Sequence, residues 1–401
     1  MTVVDAPVLL PADHLRAVAA RHADEAERTG RLHPEVVGAM TATGLARHFV
    51  PRHWGGTAGS FAELVDTVAG AGAACASTAW CAVLLAAHGR LAAHLPVEGQ
   101  RELWGDSPDV RVAAAIVPPA GRLVRAPGGW SLSGEWAFAS GVEHADWVLL
   151  ASLDHSGDGA PAYRVLAVRR EEVGIRETWD AVGLRATGSH SVTVDGVYVP
   201  EHRSFLREAL VSGVADADAA PCHRVPYQLV AGLLFALPAL GAARGALDAW
   251  TGLVGPRRLP DGRPLTDDPT VQQTLSRCAA ETEAARLLLE AAATRADGAG
   301  ADRTGTAAFG GHEATGTTVR AASRPDVTRA AALNQRDVAL AVDLLTGAVE
   351  RLMRTGGARG LNAGGGLERA WRDIHAIAAH AALQPAPAAA AYAATVFPPA
   401  S

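Results

Sequence analysis

Between residues 11 and 105 apolar positions recur at helical spacing. ADHLRAVAARHADEAERTG opens after Pro11 and stops at Gly30, and LHPEVVGAMTATG follows and also ends on glycine. SFAELVDTVAGAGAA and the strongly apolar STAWCAVLLAAHGRLAAHL complete this helical run. Near residue 110 the period falls to two, and VRVAAAIV, RLVRAP, WSLSGEW, DWVLLASL, AYRVLAVRR and SVTVDGVYV predict strands. Gly128-Gly129 forms a tight turn between the second and third of these. Past Ser204 the helical spacing returns, in PYQLVAGLLFALPALGAARGALDAWTGLV and in the more amphipathic DPTVQQTLSRCAAETEAARLLLEAAATRA. Residues 296–326, rich in Gly, Thr and Ala and without period, predict a mobile loop. Helices resume at VTRAAALNQRDVALAVDLLTGAVERLMR and LERAWRDIHAIAAHAAL.

Helices, then strands, then long helices describe an α+β chain rather than βαβ alternation. The boundaries fall at 1–107 for an N-terminal helical domain, 108–204 for a central β domain and 205–401 for a C-terminal helical bundle. Neither a G-x-G-x-x-G after a strand nor a Walker A motif occurs, which disfavours a Rossmann or P-loop nucleotide site. Composition narrows the reading further. With 49% hydrophobic residues over 401 positions the chain can bury a large core. A net charge of −6 argues against nucleic acid as a partner. All the basic charge is arginine. The four cysteines (Cys75, Cys81, Cys222, Cys278) include no C-x-x-C pair and predict buried, reduced thiols in a cytoplasmic protein. MTVVDAPVLLPAD lacks the basic start of a signal peptide, and no run of about 18 uninterrupted apolar residues predicts a membrane span.

Three stretches carry a resemblance: WAFASGVEHADW (136–147), WDAVGLRATGSHSVTVDGVYVP (179–200) and GLERAWRDIHAIAAH (366–380). FVPRHWGGTAGS and STAW with the following histidine support them. Together, over nearly the whole chain, they resemble the acyl-CoA dehydrogenase fold, and more closely the two-component flavin-dependent monooxygenases built on it. The resemblance implies a helical domain, a barrel-like β domain and a four-helix bundle in a homotetramer or homodimer. It implies reduced FMN or FAD delivered by a separate NAD(P)H:flavin reductase, and a flavin C4a-hydroperoxide that oxygenates an aromatic or other natural-product small molecule. Flavin-dependent dehydrogenation of an acyl thioester, N-oxygenation of an amine, and a non-catalytic binding protein are the alternatives. In many dehydrogenases a glutamate base follows the Arg-Asp pair by eight residues; here Asp373 plus eight is Ala381. On the segment 226–254, where other dehydrogenases carry their base, only Asp248 offers a carboxylate.

Each candidate has a plain reading beside the functional one. His380, projected on a helical wheel, falls on the flank of the stripe Leu367, Ala370, Trp371, Ile374, Ala378, Ala381, and from pattern alone it is a structural histidine. The resemblance makes it the group that orients the substrate and removes its proton. Its spacing from His375 does not suit a metal pair, and no metal is expected. Ser140 and Ser189 read as turn serines. By resemblance they face the flavin, with Thr187-Gly188-Ser189 supplying a donor. Phe138 is either a core aromatic or the ring that stacks on the flavin, and Trp179 and Arg185 flank the same strand mouth. His88 ends an apolar helix as a cap or core residue, or by resemblance lines the substrate pocket opposite His380; His144 reads as structural. Arg257 and Arg258 are solvated loop charges, or the pair that reaches a flavin phosphate in a neighbouring subunit.

Overall fold

Among the described residues, five α-helices come first: α1 (Ala12–Thr29), α2 (Pro34–Ala42), α3 (Ala62–Ala74), α4 (Ala76–Ala92) and α5 (Val97–Trp104). The structure, a computed structural model, describes residues 12–157, 159–213, 219–301 and 324–397. Pro34 sits at the first position of α2, where its missing N–H costs nothing, and the His33 side chain caps the helix by accepting from the Glu35 N–H. Cys75, with extended backbone, breaks the apolar run into α3 and α4.

Eight strands follow among the described residues: β1 (Val112–Ala115), β2 (Arg122–Ala126), β3 (Gly129–Ala139), β4 (Trp147–Asp154), β5 (Ala162–Arg169), β6 (Gly174–Arg176), β7 (His190–Pro200) and β8 (Ser204–Leu206). They form two four-stranded sheets, ordered β1-β4-β5-β8 and β2-β3-β7-β6. All neighbours are antiparallel except β1 and β4. Along β4 successive side chains point to opposite faces. Val148 and Leu150 join the core shared with the second sheet, while Trp147, Leu149 and Ala151 pack against Leu91, Leu95 and Trp104 from the helices. The first sheet is therefore covered on both sides. β6 and β8 escape the sequence pattern because three residues are too few to display an alternation.

The remaining helices are α6 (Arg207–Ser212), α7 (Pro221–Arg224), α8 (Tyr227–Val254), α9 (Pro269–Ala301), α10 (Arg324–Thr355), α11 (Gly366–Ala378) and α12 (Pro385–Val396). α8 is long and apolar enough to cross a bilayer, but 72% of its most apolar window is buried inside the fold. It crosses α3 at close range: a Cβ on Gly241 would come within 2.5 Å of the Gly72 Cα, and one on Gly245 within 2.4 Å of the Ala73 carbonyl. Side chains from α1–α4 and from α8–α11 share one continuous core. The loop expected over 296–326 is corrected at both ends, because α9 runs to Ala301 and α10 begins at Arg324; residues 302–323 lie outside the described residues. Gly300 is a glycine within a helix because a Cβ there would meet the Pro221 carbonyl at 2.3 Å.

Candidate functional site

The strand pairing of β3 with β7 sets the site. Ala139 lies opposite His190, so Ser140, one residue past β3, and Ser189, one residue before β7, face each other across the mouth of the sheet. Their hydroxyl oxygens are 2.7 Å apart. Ser189 Oγ is also 2.7 Å from Thr187 Oγ1, which donates to the Leu184 carbonyl at 3.0 Å. At the other end the Trp80 indole N–H of α4 donates to Ser140 Oγ at 3.2 Å. A hydroxyl has one proton to give, and the orientation of each follows from its partners. Thr187 spends its proton on Leu184, so Ser189 donates to Thr187 and Ser140 donates to Ser189. All three protons run away from Trp80, and the oxygens present lone pairs. With the Ser189 proton engaged by Thr187, a donor from the Thr187-Gly188-Ser189 stretch would be a backbone N–H.

Phe138 stands at the same mouth. A register irregularity between Trp136 and Ala139 and a φ of +64° turn it outward, and 68% of it is exposed. It is not a core aromatic. Trp179 meets it edge-on, with ring centroids 6.3 Å apart, and donates from its indole N–H to the Leu184 carbonyl at 3.0 Å. Arg185 turns away, donating to the carbonyls of Glu27 and Ala181. A bare aromatic face beside a row of hydroxyl acceptors suits a planar ring that carries N–H groups, as a reduced flavin does.

His380 is not on a helix. α11 ends at Ala378, and His380 caps a short 3-10 turn, its Nδ1 accepting from the Ala382 N–H at 3.2 Å. Its ring lies 3.8 Å from that of Phe235 on α8 and 5.8 Å from Trp80, so Trp80 links it to the hydroxyl row. Burial lowers its pKa and so favours the neutral ring. With Nδ1 occupied as an acceptor, the ring proton of the neutral form sits on Nε2, which is left as a donor. His88 is the converse. Its Nδ1 lies 2.8 Å from the Val112 carbonyl, which only accepts, so Nδ1 carries the proton and Nε2 keeps its lone pair. Burial pushes its pKa down to about 4. His88 and Ser140 line one small cavity of about 20 Å³, together with Met40, Leu84, Arg111 and His144.

Arg257 and Arg258 lie past the C-terminal end of α8, where they donate to the carbonyls of Gly356 and Gly262. The fold does not bring them to the hydroxyl row. Asp248, the alternative dehydrogenase base, is a surface residue 3.8 Å from Arg16. Three residues of the site lacked a clear sequence signal. Phe235 is hidden in a helix that is apolar all round, Leu184 acts through its backbone, and Asp373, which accepts from the Leu184 N–H at 2.6 Å, was legible only as half of an Arg-Asp pair.

Comparison with known proteins gives two family matches: the acyl-CoA dehydrogenase N-terminal domain over residues 12–103 and the acyl-CoA dehydrogenase C-terminal domain over residues 233–385. The chain is 32% identical over 374 residues to the oxygenase component of an FADH2-dependent resorcinol hydroxylase from Rhizobium sp. (strain MTP-10005), covering 90% of this chain and 86% of that one. It is 29% identical over 380 residues to the flavin-dependent monooxygenase oxygenase subunit HsaA of Rhodococcus jostii (strain RHA1), covering 93% and 94%. Among solved structures, XiaF from Streptomyces sp. in complex with FADH2 and glycerol superposes with a TM-score of 0.85 at 27% identity, covering 96% of this chain and 93% of that one.

Proposed function

Because the chain belongs to the flavin-dependent monooxygenases of the acyl-CoA dehydrogenase fold, we propose that it is the oxygenase component of a two-component system that hydroxylates an aromatic small molecule. The observation that carries the reading is the Ser140–Ser189–Thr187 hydroxyl row beside the exposed Phe138. Reduced flavin, when bound, supplies the activation of O₂. Phe138 and Trp179 would hold its ring, and Ser140 and Ser189 would accept from the N–H groups that the reduced ring has and the oxidised ring lacks. The likeness to the FADH2-dependent resorcinol hydroxylase and to XiaF with FADH2 supports FAD over FMN.

In this reading the substrate ring sits against Trp80, Phe235 and His380. His380 donates from Nε2 to a phenolic oxygen and fixes its position, and His88 keeps an acceptor nitrogen on the far side of Ser140. Trp80 is buried and Phe235 and His380 are half-buried, so these rings restrict the access of water. Arg257 and Arg258 reach the flavin phosphate of a neighbouring subunit in a homotetramer or homodimer. A separate NAD(P)H:flavin reductase delivers the flavin in the cytoplasm, and the product serves secondary metabolism. The three units 1–107, 108–204 and 205–401 rest on the change from helix to strand between Trp104 and Val112 and back to helix at Arg207.

The test is a reductase-coupled reaction with NADH, ¹⁸O₂ and a panel of phenols and indoles, run with FAD and with FMN. Incorporation of one ¹⁸O atom into product is expected. Substrate-dependent bleaching of oxidised flavin without O₂ would instead identify a dehydrogenase. The dehydrogenase reading lacks a base here, since Ala381 occupies the glutamate position and Asp248 is on the surface.

A further inference from the structure

Leu184 is a junction. Its φ of +52° is left-handed, a region that disfavours a residue with a Cβ. Its N–H donates to Oδ1 of Asp373 on α11 at 2.6 Å. Its carbonyl collects three donors: the Trp179 indole N–H at 3.0 Å, the Thr187 hydroxyl at 3.0 Å and the Thr187 N–H at 3.1 Å. Both sides of the strand mouth therefore depend on one peptide, since Trp179 braces Phe138 and Thr187 ends the hydroxyl row.

The peptides just before it, at Val182, Gly183 and the Leu184 N–H, are laid directly on α11. A Cβ on Gly183 would come within 2.3 Å of the Arg372 carbonyl, and the Arg372 guanidinium donates to the Val182 carbonyl while bound to Glu27 at 2.8 Å. Asp373 is 4% exposed and, among the described residues, makes no ion pair within 4.0 Å. A buried carboxylate without a close cation is costly, and a helix that only packed here would be better served by an apolar side chain. The hydrogen bond to Leu184 is what the carboxylate achieves. α11 is also the helix that leads into His380, two residues past its end.

We propose that Asp373 is a positioning residue: by gripping the Leu184 N–H it fixes the Trp179–Ser189 turn, and with it the flavin-facing hydroxyls, to the same helix that delivers His380. The role rests on the flavin-binding reading above. It extends that reading by making α11 the part that holds the two halves of the site in register.

The experiment is an anaerobic fluorescence titration of the full chain with FADH2, run beside the thermal midpoint of the flavin-free protein. Asp373→Ala is expected to weaken FADH2 binding tenfold or more. Asp373→Asn, whose amide oxygen still accepts from Leu184, is expected to stay within threefold of wild type. In a Ser189→Ala background the Asp373→Ala loss is expected to shrink below threefold, because both changes cut one chain of contacts. A purely structural role would lower the midpoint of both Asp373 variants and leave the affinities alike. The proposal is overturned if Asp373→Ala binds as wild type, if Asp373→Asn binds as poorly as Asp373→Ala, or if the losses simply multiply. Should Asp373→Ala fail to fold, Gly183→Ala lifts the same turn off α11; a tenfold loss supports the role and unchanged binding overturns it. Wild-type protein that binds no FADH2 removes the functional reading itself, and this role with it.

Discussion

Replacing Asp373 by asparagine removes a buried charge while keeping the shape and the acceptor oxygen. Burial, the largest influence, pushes the Asp373 carboxyl up from its ordinary 3.8 to about 6; Glu27 adds to this, and the Leu184 N–H, Arg372 and Arg369 oppose it. The folded pKa lies above the unfolded one, so the folded state binds the proton more tightly. Stability from this group is fully present below pH 3.8 and is lost as pH rises through about 6. At ~1.4 kcal/mol per pKa unit the gap is worth about 3 kcal/mol, of which about 2–3 falls between pH 4 and pH 8. Asparagine cannot titrate, so the variant lacks this slope. Urea unfolding of both proteins across that range, at matched concentration, should show the variant gaining about 2–3 kcal/mol on wild type between pH 4 and pH 8. Taking the difference cancels the buried histidines His88 and His223, whose pKa values near 4 tilt both curves in the opposite sense. A gap constant to about 0.5 kcal/mol, well under the margin set by that ~1.4 kcal/mol per unit, would refute the burial argument.

Ser189→Ala removes bonds to both Ser140 and Thr187 and should cost about 1–3 kcal/mol of stability, read by the same unfolding assay; a neutral result would mean the row is not formed. If His380 serves as an Nε2 donor, His380→Gln should retain at least about a tenth of the product yield in the reductase-coupled assay, whereas His380→Ala should lose about 100-fold, the scale of one lost oriented donor. Equal loss in both would restore the proton-removing role. With its pKa near 4, His88 stays neutral across the working range, so wild type and His88→Ala should differ by a constant factor in rate between about pH 5.5 and 8.5, with no inflection from this group. Arg257→Ala and Arg258→Ala should identify the phosphate contact as the one that weakens FADH2 binding several-fold with the oligomeric state unchanged.

Much of this architecture was legible because periodicity is a local property. The switch from helical to alternating spacing near residue 110 marked the sheets, and the ends of the alternating runs, one of them after the turn Ala186-Thr187-Gly188-Ser189, placed Ser140 and Ser189 at strand mouths that then proved adjacent. What could not be read depended on contacts far along the chain. Nothing in Ala-Ala-His-Ala-Ala stops a helix; α11 ends because His380 turns to lie on Phe235 and to cap Ala382, 145 and 2 residues away. Gly300 looked like part of a loop because its cause, the Pro221 backbone pressed against it, is a tertiary contact. A leucine with left-handed φ has no sequence signature, so the junction at Leu184 was invisible.

The hydroxyl row has fixed ends: an indole that can only give a hydrogen bond and a peptide carbonyl that can only take one. Neither terminus titrates between acid and base extremes. The row therefore works as a one-way valve for polarity. Buffer, pH and neighbouring charges can alter how firmly a guest is held, but they cannot invert the sense in which it is greeted. Only a change at Trp80 or a rebuilt peptide at Leu184 would do that.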